Sequence, residues 1–331
     1  MTAPRTPAPD RHRLATVLLC GVVPLAVVGT STAVALSWAP ELPDPVAIHW
    51  GPSGVDGYGS LPGIVLGTAA IALGVAAAAL VLALVVGRQA SVRRMSAGLA
   101  TGLAVGLSAL VLGVLHAQRG LADAGAVGDV GGAVGLMIAG GLVAGALAAW
   151  VTPGDRPRPA EAPVAVDAPR VALAEHERAA WARTASGRPG LVIGGAATAL
   201  VAVLAVALHL PALWLLVVAL VALLGSMTVF RVRVDATGLT ARSALGWPTL
   251  RVPLDEVEEA RATTVDPLAE FGGWGYRVGV GGRVGVVLRR GEALEVRRTG
   301  ERVTVVTVDD AATAAALLNT LADRSRRATR G

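Results

Sequence analysis

A chain of 331 residues would ordinarily make two soluble domains, but this one is 53% hydrophobic, only 16% charged, and has a mean hydropathy of +0.61. A water-soluble surface needs about 25% charged residues, so the composition excludes an ordinary soluble protein. The apolar residues fall in blocks of about 20, the length that crosses ~30 Å of hydrocarbon, which marks an integral membrane protein. The formal net charge of +5 rests on arginine alone, because the chain has no lysine. That excludes Walker A, Schiff-base and kinase-type lysine chemistry. The single cysteine, Cys20, excludes an intrachain disulfide and a cysteine metal site.

In chain order, an arginine-bearing tail (1–13) leads into the apolar run Leu14–Ser37. Arginines, an apolar stretch and small residues near Ala33-Val34-Ala35 imitate a signal peptide. The run exceeds the usual ~7–15-residue apolar region, so it reads as an uncleaved first span. Further runs follow at Pro62–Val86, Met95–Leu115, Val130–Trp150, Gly190–Leu208 and Leu213–Phe230, which makes six expected spans. The last two are joined only by His209-Leu210-Pro211-Ala212 and read as a helical hairpin. None of the six interiors carries Asp, Glu or Arg. Proton relays and ion-coupled transporters place such groups inside the bilayer, so a pump or secondary transporter is disfavoured.

Arginines set the expected topology. Arg5, Arg11 and Arg13 precede the first span, while the first loop has none and carries Glu41, Asp44 and Asp56. Arg88, Arg93 and Arg94 fill the second loop. The third has Arg119 against Asp123 and Asp129, and six arginines from Arg156 to Arg188 fill the fourth connection. By the positive-inside rule both termini are cytoplasmic and the protein resides in the cell membrane. Glycines four apart at Gly63/Gly67, Gly98/Gly102/Gly106, Gly141/Gly145 and Gly190/Gly194 fit close helix contacts, the triple in the third span foremost.

The expected organisation is a four-helix membrane region (14–151), a cytoplasmic linker (152–189), the hairpin (190–230) and a β-rich domain (231–325). Within the linker, Val171–Thr184 reads as a short amphipathic helix with Trp181 near the membrane. Beyond Phe230 the pattern changes to period two, with strands expected at Arg231–Val234, Leu239–Ser243, Thr249–Pro253, Tyr276–Val280, Gly285–Arg289, Ala293–Arg298 and Arg302–Val308. Asp309 or Asp310 would cap a closing helix reaching Arg324. Strands followed by one amphipathic helix resemble a bacterial pleckstrin-homology-like (PH-like) domain. The loop Phe271–Arg277 could meet a lipid or peptide, or close one end of the domain, and the latter is favoured. Arg289, Arg290, Arg297 and Arg298 could face lipid headgroups or water.

The most specific segment is the first loop (38–61). Leu42, Pro43, Val46, His49, Trp50, Gly54, Asp56, Gly57, Tyr58 and Gly59 resemble the signature of the DUF1648 membrane family, which includes relatives of SdpI-type immunity and signalling proteins. Gly51 departs from the usual small polar residue after the aromatic, and Leu61 from a frequent lysine. The resemblance implies that His49 and Asp56, with Trp50, Tyr58, Pro43, Gly54 and Gly57, form or shape a ligand site on the outer face. The prolines and glycines restrict the loop and permit tight turns. A metal held by His49, Asp56 and Glu41 would be a thin ligand set, so no metal is expected. A hydrogen bond between His49 and Asp56 that fixes the loop is favoured.

The fold class is an all-α polytopic membrane bundle of six transmembrane helices plus a small cytoplasmic β-rich PH-like domain with a C-terminal helix. No Gly-x-Ser-x-Gly elbow, His-Glu-x-x-His or dinucleotide fingerprint is present, so a non-enzymatic role without cofactor is expected. Sensing or immunity leads; a membrane-organising or transport-accessory role is the alternative. Expected partners are membrane lipids, an extracytoplasmic peptide and a cytoplasmic protein, with no nucleic acid.

Overall fold

The computed structural model describes residues 11–51, 54–160, 162–174 and 176–330, so most of the tail, Arg5 included, lies outside the described residues. The chain forms two compact units: residues 1–154 with 200–218, and residues 155–199 with 219–331.

The first unit is helical. Spans run over His12–Ser37, Leu61–Val86, Ala90–His116 and Gly131–Val151. The first contains a π-helical turn at Leu18–Val22, immediately before Pro24. Proline has no N–H to donate and its ring crowds the preceding turn, and the wider turn absorbs that misfit. The Thr101 hydroxyl donates to Leu19 O at 2.8 Å, taking up a carbonyl of the disturbed turn. Cys20 is packed there among Ala76, Ala79, Ala97, Ala100 and Ala148.

The third span begins earlier than expected, at Ala90, and so takes Arg93 and Arg94 into its first turns. Arg93 donates to Gly87 O at 2.6 Å and Pro153 O at 3.4 Å, and Arg94 to Thr152 O at 3.2 Å. These cations meet carbonyls just past the C-terminal ends of the second and fourth spans, where the helix dipole favours them. The predicted glycine contact is also present. A Cβ on Gly102 would sit 2.7 Å from Gly141 O, and one on Gly145 would sit 2.8 Å from Gly98 O. Gly67 meets nothing within 4 Å, so the Gly63/Gly67 pair is not such a contact.

A fifth helix of spanning length covers Arg188–Ala207; with the four above, five helices are long and apolar enough to cross a membrane. The sixth apolar run forms only the 15-residue helix Leu213–Met227, about 22 Å long at ~1.5 Å per residue. It stops because Val229 and Phe230, read above as the end of a span, already belong to a strand.

The second unit is built on two sheets. One has the order β3 (Trp181–Ser186), β4 (Val229–Asp235), β5 (Gly238–Ser243), β6 (Thr249–Val252). The other has the order β7 (Val257–Val265), β10 (Gly291–Arg298), β11 (Arg302–Thr307), β9 (Val284–Val287), β8 (Gly275–Val278). A two-stranded hairpin of the first unit, β1 (Val46–Gly51) with β2 (Gly54–Gly59), completes the count. Alternation drives the sheets: Phe230, Val232 and Val234 are buried while Arg231 and Arg233 are exposed. The β9–β11 pair is parallel, whereas the other pairs of that sheet are antiparallel. The closing helix, Ala311–Arg330, buries Ala311, Ala314, Ala315, Leu318 and Ala322.

One expectation fails here. Among the described residues of Val171–Thr184 there is no helix: Trp181–Ser186 is strand β3, paired along β4 from Trp181↔Val234 to Ser186↔Val229. Edge pairing with β4 outweighs a weak helical pattern. Within the linker, Ala160 N–H donates to Asp255 O at 2.7 Å and Val164 is buried with its N–H on Asp323. Asp310 directly precedes the closing helix, as expected of its cap, and a carboxylate from β10 adds to that cap. Glu292 of β10 accepts from the N–H groups of Asp310 and Ala311 at 3.1 and 2.8 Å. Asp310 binds the Thr313 hydroxyl, the Trp181 indole N–H and Arg183, and these bonds hold its carboxyl below the usual range.

Candidate functional site

The first loop is an antiparallel hairpin with irregular register: Ala47 opposes Tyr58, His49 opposes Gly57, and Trp50 opposes Val55. The irregularity brings the two candidate polar residues together although they are not directly opposed. His49 Nδ1 lies 2.5 Å from Asp56 Oδ1, with the side chains 72% and 48% exposed. The glycines explain the geometry. A Cβ on Gly57 would stand 2.7 Å from His49 Cβ, and one on Gly51 2.2 Å from Asp56 Oδ2. Gly51, a departure from the family pattern, is therefore the surface on which the Asp56 carboxylate rests. Gly54 has φ +114°, a conformation that glycine adopts without strain.

The hairpin's base is held by a residue that sequence reasoning missed. Gln118, fully buried, accepts from Ala47 N–H at 2.7 Å and donates to Ala47 O at 3.1 Å and Val114 O at 3.2 Å. Its amide acts as a one-residue strand against the free edge of β1. A lone glutamine just past a span carries no periodic signal, so only its position beyond His116 could have drawn notice. Arg119 reaches Glu41 Oε2 at 2.9 and 2.7 Å and lies 4.8 Å over the Trp38 ring, while Gly120 N–H donates to Glu41 O. Pro43 is buried, and Val46 packs with Ala35, Val65 and Leu115. Trp50 packs with Val55 and Leu121 against Ala47, Ala124 and Val127, and its indole nitrogen is buried with no hydrogen-bond partner among the described residues. Tyr58 is 47% exposed.

Magnitudes separate the roles. An exposed ion pair contributes ~0–1 kcal/mol, whereas each buried backbone group left unpaired costs about 1–3 kcal/mol. Gln118 and the packed base thus hold the hairpin, and the His49–Asp56 pair is an exposed feature displayed on it. Glu41 is engaged by Arg119 rather than standing beside His49. Among the described residues no three of His, Cys, Asp and Glu gather as metal ligands.

The C-terminal candidates have structural partners. Phe271 is buried with Val265, Val287, Ala293 and Val305. Gly272, at φ +64°, donates to Leu268 O, and Gly273 donates to Pro267 O, so a glycine in the left-handed region closes the short helix Pro267–Phe271. Glu270 accepts from Asp266 N–H and from Arg283, both at 2.7 Å, which lowers its pKa. The arginines considered for headgroups have carboxylates: Arg289 with Asp309, Arg290 with Asp266, Arg297 with Glu259, and Arg298 with buried Glu256, which also binds Arg302. Asn319, fully buried, repeats the device of Gln118. It accepts from Ala260 N–H and donates to Ala260 O, both at 2.8 Å, on edge strand β7.

Five helices long and apolar enough to cross a membrane, a β hairpin between the first two, and a β-rich region are consistent with a membrane protein. Residues 26–73, which contain that hairpin, match DUF1648, a domain of unknown function. No curated protein and no solved structure matches the chain.

Proposed function

We propose that the protein is a non-enzymatic membrane sensor or immunity protein related to the SdpI type, in which the β1–β2 hairpin recognises an extracytoplasmic peptide. The observation that carries this reading is the exposed His49–Asp56 pair on a hairpin anchored independently of it. A loop ordered before its ligand arrives pays less entropy on binding. On this reading six spans place both termini in the cytoplasm, with a PH-like domain meeting a cytoplasmic protein partner. The arginine distribution favours that topology. So does the β3–β4 pairing: Ser186 lies opposite Val229, so the chain entering at Arg188 must leave Met227 on the same face. A photo-crosslinking residue at Tyr58 should capture a partner in native membranes, and His49→Ala/Asp56→Ala at normal membrane abundance should abolish the adduct. An adduct unaffected by the double change would contradict the reading.

A further inference from the structure

One end of the four-stranded sheet is tied to the apolar helices. β3 ends at Ser186, two residues before the helix Arg188–Ala207, and β4 starts at Val229, two residues after Leu213–Met227. The turn between β5 and β6 is at that same end, because Ser243 opposes Phe230 and Ala244 N–H donates to Val229 O at 2.9 Å. Leu245 Cδ1 lies 3.2 Å from where a Cβ on Gly225 would stand, beside the last turn of the helix.

The turn is internally fixed. Ser243 N–H donates to Pro248 O at 3.0 Å, Gly246 N–H to Ser243 O at 2.9 Å, and Arg242 Nε to Gly246 O at 3.2 Å. It nevertheless presents Leu245 at 67% and Trp247 at 70% exposure. Turns facing water favour Gly, Asn, Asp and Ser, whereas tryptophan is enriched where a membrane meets water. One register step further along the sheet, Arg231 and Arg242 stand directly opposite each other and are both exposed. Like charges so placed are destabilising, and among the described residues neither forms an ion pair with an acidic side chain. At ~3.3 Å per residue they lie about 7 Å from the end of the sheet, at the level of headgroups if the turn touches the hydrocarbon.

We propose that Ala244–Pro248 is an interfacial wedge: Leu245 and Trp247 enter the boundary of the bilayer beside the helices, and Arg231 and Arg242 bind anionic lipid phosphates. The proposal rests on Arg188–Ala207 lying in a bilayer. The test uses the full chain with Cys20→Ala and single nitroxide-labelled cysteines, reconstituted in vesicles of phosphatidylcholine with phosphatidylglycerol. Val203→Cys reports the span, and Ala236→Cys, at the far end of β4, reports water. A label at Trp247→Cys should collide with oxygen more than with a water-soluble nickel chelate, as at 203 and opposite to 236. If 247 matches 236 while 203 reports lipid, the wedge is overturned and the span stands. If 203 itself reports water, both fall. Removing phosphatidylglycerol should make 247 shallower, and Arg231→Gln/Arg242→Gln should erase that dependence. Depth at 247 indifferent to the anionic lipid would overturn the arginine half of the proposal.

Discussion

Replacing Gln118 with leucine should release the hairpin without unfolding the protein. The substitution keeps a side chain of similar size in the same place but removes both bonds to Ala47, which is fully buried. Two orphaned groups at about 1–3 kcal/mol each give roughly 2–6 kcal/mol. Local opening lets water take up part of this, so about 2–4 kcal/mol should be lost from the opening equilibrium rather than from global stability. At ~1.4 kcal/mol per factor of ten, amide protection across 46–59 should fall roughly 30- to 1000-fold. Hydrogen exchange on the full chain in nanodiscs reads this directly. Asp56→Asn, which removes only an exposed pair worth ~0–1 kcal/mol, should change protection less than about fivefold. Unchanged protection in Gln118→Leu, or a larger loss in Asp56→Asn, would refute the assignment of roles.

Gly102→Ala would place a Cβ 2.7 Å from Gly141 O and 3.2 Å from Gly145 Cα, both backbone. It should cost about 1–3 kcal/mol of unfolding stability in detergent, whereas Gly67→Ala, which meets nothing within 4 Å, should be neutral or slightly stabilising. Residues 155–331 alone, with 187–228 replaced by Asn-Gly, should be soluble and β-rich by circular dichroism, because Ser186 and Val229 are already opposed and that dipeptide closes antiparallel hairpins. The chain beginning at residue 229 alone, lacking β3 and the packed part of the linker, should be less stable. Glu270 has a lowered pKa, from the Asp266 N–H and then Arg283, so its contribution is full above the ordinary glutamate value of ~4.3 and is lost as pH falls through the folded value. The stability gap between wild type and Glu270→Gln should therefore close on acidification below about pH 4; a gap that widens would contradict the sign.

Elements whose burial follows a period were legible from sequence, and those completed by distant partners were not. β4 reads plainly because Phe230, Val232 and Val234 alternate with arginines. β7 was missed because Glu258, Glu259 and Arg261 interrupt its apolar positions, and its pairing with β10 is irregular at Arg297/Arg298. β3 was missed because its partner lies beyond two helices. The glycine contact of the third and fourth spans was visible as a four-residue spacing, yet the same spacing at Gly63/Gly67 means nothing in space. At the candidate site the residue types of His49 and Asp56 drew notice, and their proximity follows from the hairpin register. Gln118 and Asn319 left no pattern, since each is one amide serving one strand residue.

On the proposed topology the hairpin and the β-rich region face opposite sides of the membrane. In a Cys20→Ala background, Val55→Cys and Ala236→Cys can be probed separately in intact cells with a membrane-impermeant maleimide. Labelling of residue 55 alone, with residue 236 reached only after the membrane is opened, is the predicted result. Labelling of residue 236 in intact cells, or protection of residue 55, would contradict it.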